Sequence, residues 1–285
     1  MAIIMTDISE ILCIGNELLS GTIINTNAQW ISKRITEAGG VVRRVTVVKD
    51  DVNEIARVVK EVQSRKPNWL IISGGLGPTY DDKTLEGVAV ALGTDLVLDV
   101  NAIEMLKRSY ARYSSSFKLD EVRLKMARIP RGSTPIQNPV GSAPSILIDT
   151  KIDSNINSTV LSSYTKIICL PGVPKELEAI FLESVLPKMK LILGYFHIIE
   201  TNHEIAGVSE AMLAPILLRI VQSFSDDSIY LKTHPRGFTK DSKPKIRIQI
   251  VSKGKDRSIV QSTYNYIYDT LIAEISRLNG EILLI

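Results

Sequence analysis

Short apolar runs alternate with amphipathic stretches through the first two thirds of the chain. Ile11–Ile14 is unbroken by polar residues and predicts a buried strand. Ala28, Ile31, Ile35 and Ala38 share one helical face behind a cap at Asn25 or Thr26, and Gly39-Gly40 ends that helix. The β-branched run Val41–Val48 predicts a second strand. Asp51-Val-Asn-Glu54 has the form of a capping box, with Ile55, Val58, Val59 and Val62 at i, i+3, i+4 and i+7 behind it. Trp69–Ser73 reads as the third strand, followed by a glycine-rich turn and a helix over 85–92 closed by Gly93.

From Asp99 to Ala127 the pattern is helical, broken at Ser114-Ser-Ser116. Residues 130–144 are rich in Pro, Gly, Ser and Asn and predict a loop; Ser145–Ile148 predicts a short strand. Ser154–Ser163 is polar and predicts a mobile excursion, Lys166–Leu170 another buried strand, and 175–186 a helix. After Gly194 the rhythm changes to strand 196–205, helix 209–224, strands 228–233 and 245–251, helix 257–278 and strand 281–285. That order, β-α-β-β-α-β, is the split βαβ signature. The expected fold class is therefore α/β. A three-layer α/β/α domain with a mostly parallel sheet spans 1–190, and a small α+β domain, ferredoxin- or KH-like, spans 195–285.

Composition narrows the function classes. A hydrophobic content of 45% and a charged content of 23% are ordinary globular values, and a net charge of +3 over 285 residues gives no reason to expect nucleic acid as a partner. The chain lacks the run of ~20 apolar residues that a membrane span needs. Its N-terminus has Asp7 and Glu10 where a secretory leader would be basic and then apolar, so a cytoplasmic location is expected. Cys13 and Cys169 each lie in an apolar run and read as buried free thiols. His197, His203 and His234 lack paired metal-binding spacing. The basic residues Lys232, Arg236, Lys240, Lys243 and Lys245 predict a solvated hairpin, with no GxxG clamp for RNA.

The chemistry concentrates in Ser73-Gly-Gly-Leu-Gly-Pro-Thr-Tyr-Asp-Asp-Lys-Thr84. Three glycines in four residues allow a sharp turn whose N–H groups approach an anion, which makes Gly74, Gly75 and Gly77 candidate phosphate binders. Asp81 and Asp82 follow where a phosphate-bound cation needs oxygen ligands. Glu17, at the end of the first strand, is a further candidate ligand or general base, and Glu176 another. Asn27 and Asn138 are candidates for ribose hydroxyls or a base edge, and Ser142 for a phosphate. Purely structural readings exist for several of these. Asp82 is the acidic member of a capping box begun at Thr79, Asn25 and Asn27 are good helix caps, and Glu17 and Glu176 are first-turn helix acids. Pro171-Gly-Val-Pro174 suits a rigid connector.

The glycine loop, together with Gly15-Asn-Glu-Leu-Leu-Ser-Gly21, Asn25-Thr-Asn27, Asn138-Pro-Val-Gly-Ser-Ala-Pro144 and Leu170-Pro-Gly-Val-Pro-Lys-Glu176, resembles the competence/damage-inducible protein A (CinA) family. Gly207-Val-Ser-Glu210 and Tyr230-Leu-Lys-Thr-His-Pro235 are similar to the family's smaller second domain. The resemblance implies a molybdopterin-binding, MogA-like α/β/α domain. It also implies a divalent metal ion (magnesium, manganese or cobalt), with or without a monovalent cation, and a pyrophosphatase acting on ADP-ribose or a related dinucleotide such as FAD. AMP and a sugar phosphate would be the products. Site residues carried over in this way are Asp81, Asp82 and Glu17 for catalysis, with Asp81 and Asp82 on the metal. Gly74, Gly75, Gly77, Thr79, Asn27, Asn138, Ser142, Gly172 and Glu176 are carried over for the substrate. The nicotinamide mononucleotide deamidase domain of bacterial members is not expected within these 285 residues.

Two departures stand out. Leu76 replaces the threonine of the Gly-Gly-Thr-Gly loop in molybdopterin-pathway enzymes, which favours the CinA-like branch. Ser145 stands where relatives often have glycine and is expected to narrow the pocket mouth. The alternative to a hydrolase is a molybdopterin- or nucleotide-binding protein without turnover. A nicotinamide-dependent oxidoreductase is disfavoured because the first strand runs into Gly15-Asn-Glu rather than a G-x-G-x-x-G turn. The expected partners are a small-molecule nucleotide and, through the second domain, a second copy forming a homodimer.

Overall fold

The computed structural model describes residues 8–112, 119–150, 165–224 and 228–283. The chain divides into two units, Met1–Leu193 and Gly194–Ile285. In the first unit the strands are β1 (Ile8–Ile14), β2 (Val41–Val48), β3 (Trp69–Ser73), β4 (Leu96–Leu98), β5 (Arg128–Pro130), β6 (Thr134–Ile136), β7 (Ser145–Thr150) and β8 (Thr165–Leu170). The helices are α1 (Asn16–Leu19), α2 (Thr26–Glu37), α3 (Val52–Arg65), α4 (Thr84–Leu92), α5 (Val100–Ala111), α6 (Glu121–Leu124), α7 (Pro174–Ile180) and α8 (Leu186–Leu193). A wide turn of π type at Phe181–Val185 joins the last two.

Six of the strands form one sheet in the order β2-β1-β3-β8-β7-β6. The four from β2 to β8 are parallel, and β7 and β6 return antiparallel at the far side. Period-two alternation sends each strand's side chains into two cores. Leu12, Ile14, Leu70, Ile72 and Cys169 pack with α3, α4 and α5 on one face; Ile11, Cys13, Trp69, Ile71 and Leu170 pack with α2, α7 and α8 on the other. Each such side chain, fully buried, contributes about 1.5–3 kcal/mol. This explains why the central strands read as unbroken apolar runs.

Helix ends follow the local chemistry. Asn25 caps α2, its side-chain oxygen accepting from Ala28 N at 3.1 Å, and Asp51 caps α3 by accepting from Glu54 N at 3.0 Å. At the amino end of β1, the Glu10 carboxylate is buried and held by Arg43 and Arg65, each at 2.7 Å.

The structure departs from the sequence reading in the middle of the first unit. The stretch expected to be loop over 130–144 contains β6, whereas the helical reading of 99–127 is met by α5, the short α6 and a 3-10 turn at Lys125–Ala127. Three-residue strands such as β4, β5 and β6 carry no readable alternation, so pairing rather than propensity defines them. The expected helix break at 114–116 and the expected polar excursion at 154–163 lie outside the described residues.

The second unit consists of β9 (His197–Ala206), α9 (Glu210–Gln222), β10 (Ile229–Phe238), β11 (Pro244–Gly254), α10 (Arg257–Arg277) and β12 (Glu281–Leu283). Its sheet order is β10-β11-β9-β12, with every neighbouring pair antiparallel. Thus β9 and β10 run parallel with β11 between them, the split βαβ arrangement. Its core joins Ile205, Ile246, Ile248 and Ile250 to Leu213, Ile216, Ile220, Ile267, Leu271 and Ile275. Among the described residues no helix is long and apolar enough to cross a membrane.

Candidate functional site

In the order β2-β1-β3 the chain moves outward from β1 to β2, then crosses back to β3. The crevice between the carboxyl ends of β1 and β3 is therefore a topological switch point, where open α/β sheets bind ligands. A cleft of about 330 Å3 lies there. It is lined by Gly15, Glu17 and Leu18 beyond β1, by Asp50 beyond β2, and by Gly74, Gly75, Thr79, Asp81 and Asp82 beyond β3. Asn27 at the start of α2, Gly172 beyond β8, and the apolar lip Ile23 and Ile24 complete it.

The glycine turn is fixed by backbone crowding. Gly74 has φ +104°, and a Cβ there would sit 2.3 Å from the Ile14 carbonyl oxygen; Gly75 has φ +67°, and a Cβ would meet Thr84 Oγ1 at 2.3 Å. Thr84 Oγ1 donates to the Gly74 carbonyl at 2.7 Å, which ties the turn to the first residue of α4. The Gly74 N–H donates to Leu170 O at 3.1 Å and so continues the sheet ladder. It is therefore not free to grip a phosphate, contrary to the sequence expectation. Leu76 is buried in the core facing α3 and α4, so the position occupied by threonine in related loops serves here as an anchor.

Beyond Leu76 the loop is held by its own polar groups. Thr79 N donates to Asp82 Oδ2 at 2.8 Å, and Asp82 N returns a bond to Thr79 O at 3.3 Å. The Thr79 hydroxyl lies between Asp81 Oδ1, at 2.6 Å, and Asp82 Oδ2. Asp82 thus closes the turn from Thr79 and does not cap α4, whose N-cap Lys83 makes no side-chain cap bond. The Thr79 hydroxyl, with Lys125 and Lys83 nearby, holds the Asp81 carboxyl below its usual range. The Asp50 carboxyl behaves oppositely. Burial pushes it up, and the charges of Glu17 and Asp81 add to that, against the Asn16 N–H that donates to it at 2.8 Å.

Asn27 spans two strand ends. Its amide nitrogen donates to Ser73 Oγ at 3.0 Å and to Gly172 O at 2.8 Å, which leaves the side-chain oxygen as its remaining acceptor. It bridges the strand ends and does not cap a helix.

Of the residues expected at the ligand, Glu17, Asn27, Gly74, Gly75, Thr79, Asp81, Asp82 and Gly172 line this one cleft. Four do not. Gly77 lines a smaller groove on the other side of the loop. Asn138 is fully buried, donating to Ala143 O at 3.0 Å and Glu176 Oε2 at 2.6 Å while accepting from Val140 N and Gly141 N. All four of its hydrogen-bonding positions are used within the protein, so it organises the 138–143 loop and offers nothing to a ribose. Glu176 is correspondingly engaged beneath Gly141, where a Cβ would meet its carboxylate within 2.2 Å. Ser142 lies in the same loop, outside the cleft lining. Ser145 is fully buried at the start of β7 and does not narrow the cleft mouth.

Asp50 escaped the sequence reading because its neighbour Asp51 accounted for the helix cap. A carboxylate two residues past a parallel strand was the available signal. The donor set of the cleft consists of hard carboxylate oxygens, which suit magnesium or manganese rather than zinc. Among the described residues no group of three or more acidic, histidine or cysteine side chains is gathered tightly enough to hold a metal alone. The thiols do not line the cleft. Cys13 and Cys169 are free and buried, and burial pushes Cys169 up to about 12.

Residues 10–191 match the family described as "Probable molybdopterin binding domain". The chain belongs to this family. A relative from Metallosphaera sedula is 38% identical over 272 residues, covering 95% of this chain and 96% of its own length. Another from Sulfolobus acidocaldarius is 38% identical over 277 residues, covering 96% and 97%. Among solved structures, the protein CinA, of unknown function, from Thermoplasma acidophilum is 39% identical, with a TM-score of 0.53. That match covers 64% of this chain and 98% of CinA, so the CinA likeness expected from the motifs holds for the molybdopterin-binding-type unit.

Proposed function

We propose that the cleft binds a phosphorylated heterocyclic ligand of the molybdopterin or nucleotide class together with a divalent cation. The observation that carries this reading is the cleft's charge. Among the described residues it is lined by Glu17, Asp50, Asp81 and Asp82 and by no lysine or arginine. An anionic ligand enters such a cleft only with a cation to offset the carboxylates. Asp81 and Asp82, already ordered by Thr79, are the residues to hold it, with ligand phosphate oxygens and water completing the shell. Family membership and position at the switch point support the same reading. The apolar lip of Ile23 and Ile24 suits a planar ring, and the Asn27 side-chain oxygen suits a hydroxyl or amino donor.

One observation favours turnover in addition to binding. The carboxylates come from three strand ends, so the cleft can hold a cation on the β3 side while Glu17 or Asp50 orients a water. The reaction would split a diphosphate, ADP-ribose or FAD, into AMP and a second phosphate ester. The cation would supply charge neutralisation on the phosphoryl oxygens. A screen of ADP-ribose, FAD and AMP against magnesium, manganese and cobalt tests both readings, with binding read by equilibrium dialysis and products by phosphorus NMR. Cation-dependent retention supports binding, and AMP release supports turnover. Retention without AMP release leaves a binding protein, and no retention with any cation rejects both.

A further inference from the structure

The two sides of the glycine loop differ in where basic side chains stand. Among the described residues the cleft side carries acidic side chains and no basic ones. Behind the loop lies a groove of about 50 Å3 lined by the loop residues 75–77, by Asp82, Glu86, Lys125 and Arg128, and by apolar walls from Leu85, Leu96 and Met126. Gly75 and Asp82 belong to both spaces. Lys125 donates from Nζ to the Thr79 carbonyl, which fixes an ammonium against the loop. Arg128, on β5, is exposed and makes no ion pair or side-chain hydrogen bond with any described residue. Of the groove's two carboxylates, Glu86 pairs with Lys83 at 3.6 Å, and Asp82, oriented by Thr79 N at 2.8 Å, is a ligand of the cation proposed for the cleft. The backbone N–H groups of Gly75, Leu76 and Gly77 also find no acceptor among the described residues.

We infer that this groove is an anion subsite that takes a terminal phosphate of the ligand held in the cleft, gripped by Arg128, Lys125 and the free loop amides. The inference rests on the cleft being a site for a phosphorylated ligand. A guanidinium offers a paired, planar set of donors to phosphate oxygens, and a turn of successive unpaired amides is an anion-binding concavity. The groove is too small for a ring system and on the scale of one phosphate group. A ligand crossing the loop would put its ring against the apolar lip, its cation against Asp81 and Asp82, and its terminal charge against Arg128. On this division the cation offsets the carboxylates in the cleft, and Arg128 and Lys125 add donors for the terminal phosphate behind the loop.

Calorimetric titration of the full chain with inorganic phosphate, adenosine and AMP, in the presence of magnesium, tests the inference. Arg128→Gln is expected to weaken phosphate and AMP by about tenfold each, the scale of one charge-assisted hydrogen bond, and to leave adenosine unchanged. Lys125→Gln should act in the same direction, and Arg44→Gln, an equal charge change on the exposed edge strand β2, should change nothing. Phosphate and AMP binding indifferent to Arg128→Gln would overturn the subsite, and AMP binding that still required the cation would leave the cleft reading intact. An equal loss in Arg44→Gln would also overturn it, by reducing the effect to net charge. Phosphate that depends on Arg128 alongside AMP that does not bind would reject the link to the cleft and leave a site for free anions.

Discussion

Asn138 and Glu176 are 38 positions apart and meet through a 2.6 Å hydrogen bond from the Asn138 amide to Glu176 Oε2. Both look like ligand contacts in sequence, and both instead clasp the 138–143 loop to the first turn of α7. Replacing Asn138 with alanine removes the oxygen that accepts from Val140 N and Gly141 N and the amide that donates to Glu176. Urea denaturation should show a loss of about 2–3 kcal/mol for Asn138→Ala. Glu176→Gln keeps an acceptor oxygen at the same place and should cost less than half as much. Equal losses would deny the clasp.

Gly74→Ala forces a Cβ to within 2.3 Å of the Ile14 carbonyl in a backbone conformation of φ +104°. The expected cost is about 2 kcal/mol or more, because neither strand end can yield without breaking the sheet ladder. A thermal melt within a degree of wild type would show that the turn is not built as described.

The Glu10 carboxyl illustrates linkage at the opposite end of β1. Burial alone would raise it, but the hydrogen bonds from Arg65 and Arg43 outweigh that and hold it below the ordinary 4.5. A depressed carboxyl contributes stability that is complete above its unfolded value and is lost as pH falls through the folded one. Wild-type stability should therefore fall on acidification below about pH 4.5. Arg65→Ala, by leaving the buried carboxylate half-paired, should cost about 3 kcal/mol near neutrality and flatten part of that acid dependence. Denaturation curves at pH 7 and pH 4 check both. An unchanged slope between the two pH values would contradict the ion-pair account.

Much of this was legible in the chain, for reasons visible in particular residues. The unbroken apolar runs at Ile11–Ile14 and Trp69–Ser73 announced central parallel strands, and the capping signals at Asn25 and Asp51 set two helix starts. Glu17, Thr79, Asp81 and Asp82 were placeable in the cleft because ligands in such sheets bind just past the strand ends. What sequence could not separate was a polar residue serving the ligand from one serving the fold. Asn138 and Glu176 have the chemistry of ligand contacts, and only three-dimensional pairing shows them satisfied internally. Asp50 was hidden for the converse reason, behind the stronger capping signal of Asp51. Gly74 looked like a phosphate-binding amide, yet the sheet claims its N–H first.

If the cleft acids hold the cation as proposed, Asp81→Asn and Asp82→Asn should each weaken manganese binding by about tenfold or more, with Asp50→Asn intermediate because it contributes charge but lies beyond β2. Electron paramagnetic resonance of free manganese measures this without any turnover. Identical binding curves for all three variants and wild type would move the cation elsewhere.

The most direct test is a titration of ADP-ribose into the full chain with manganese present and again after chelation. The charge of the cleft predicts binding that is at least about tenfold tighter with the cation. Equal affinity under both conditions would contradict the account, because a ligand phosphate would then be sharing the cleft with Glu17, Asp50, Asp81 and Asp82 unaided.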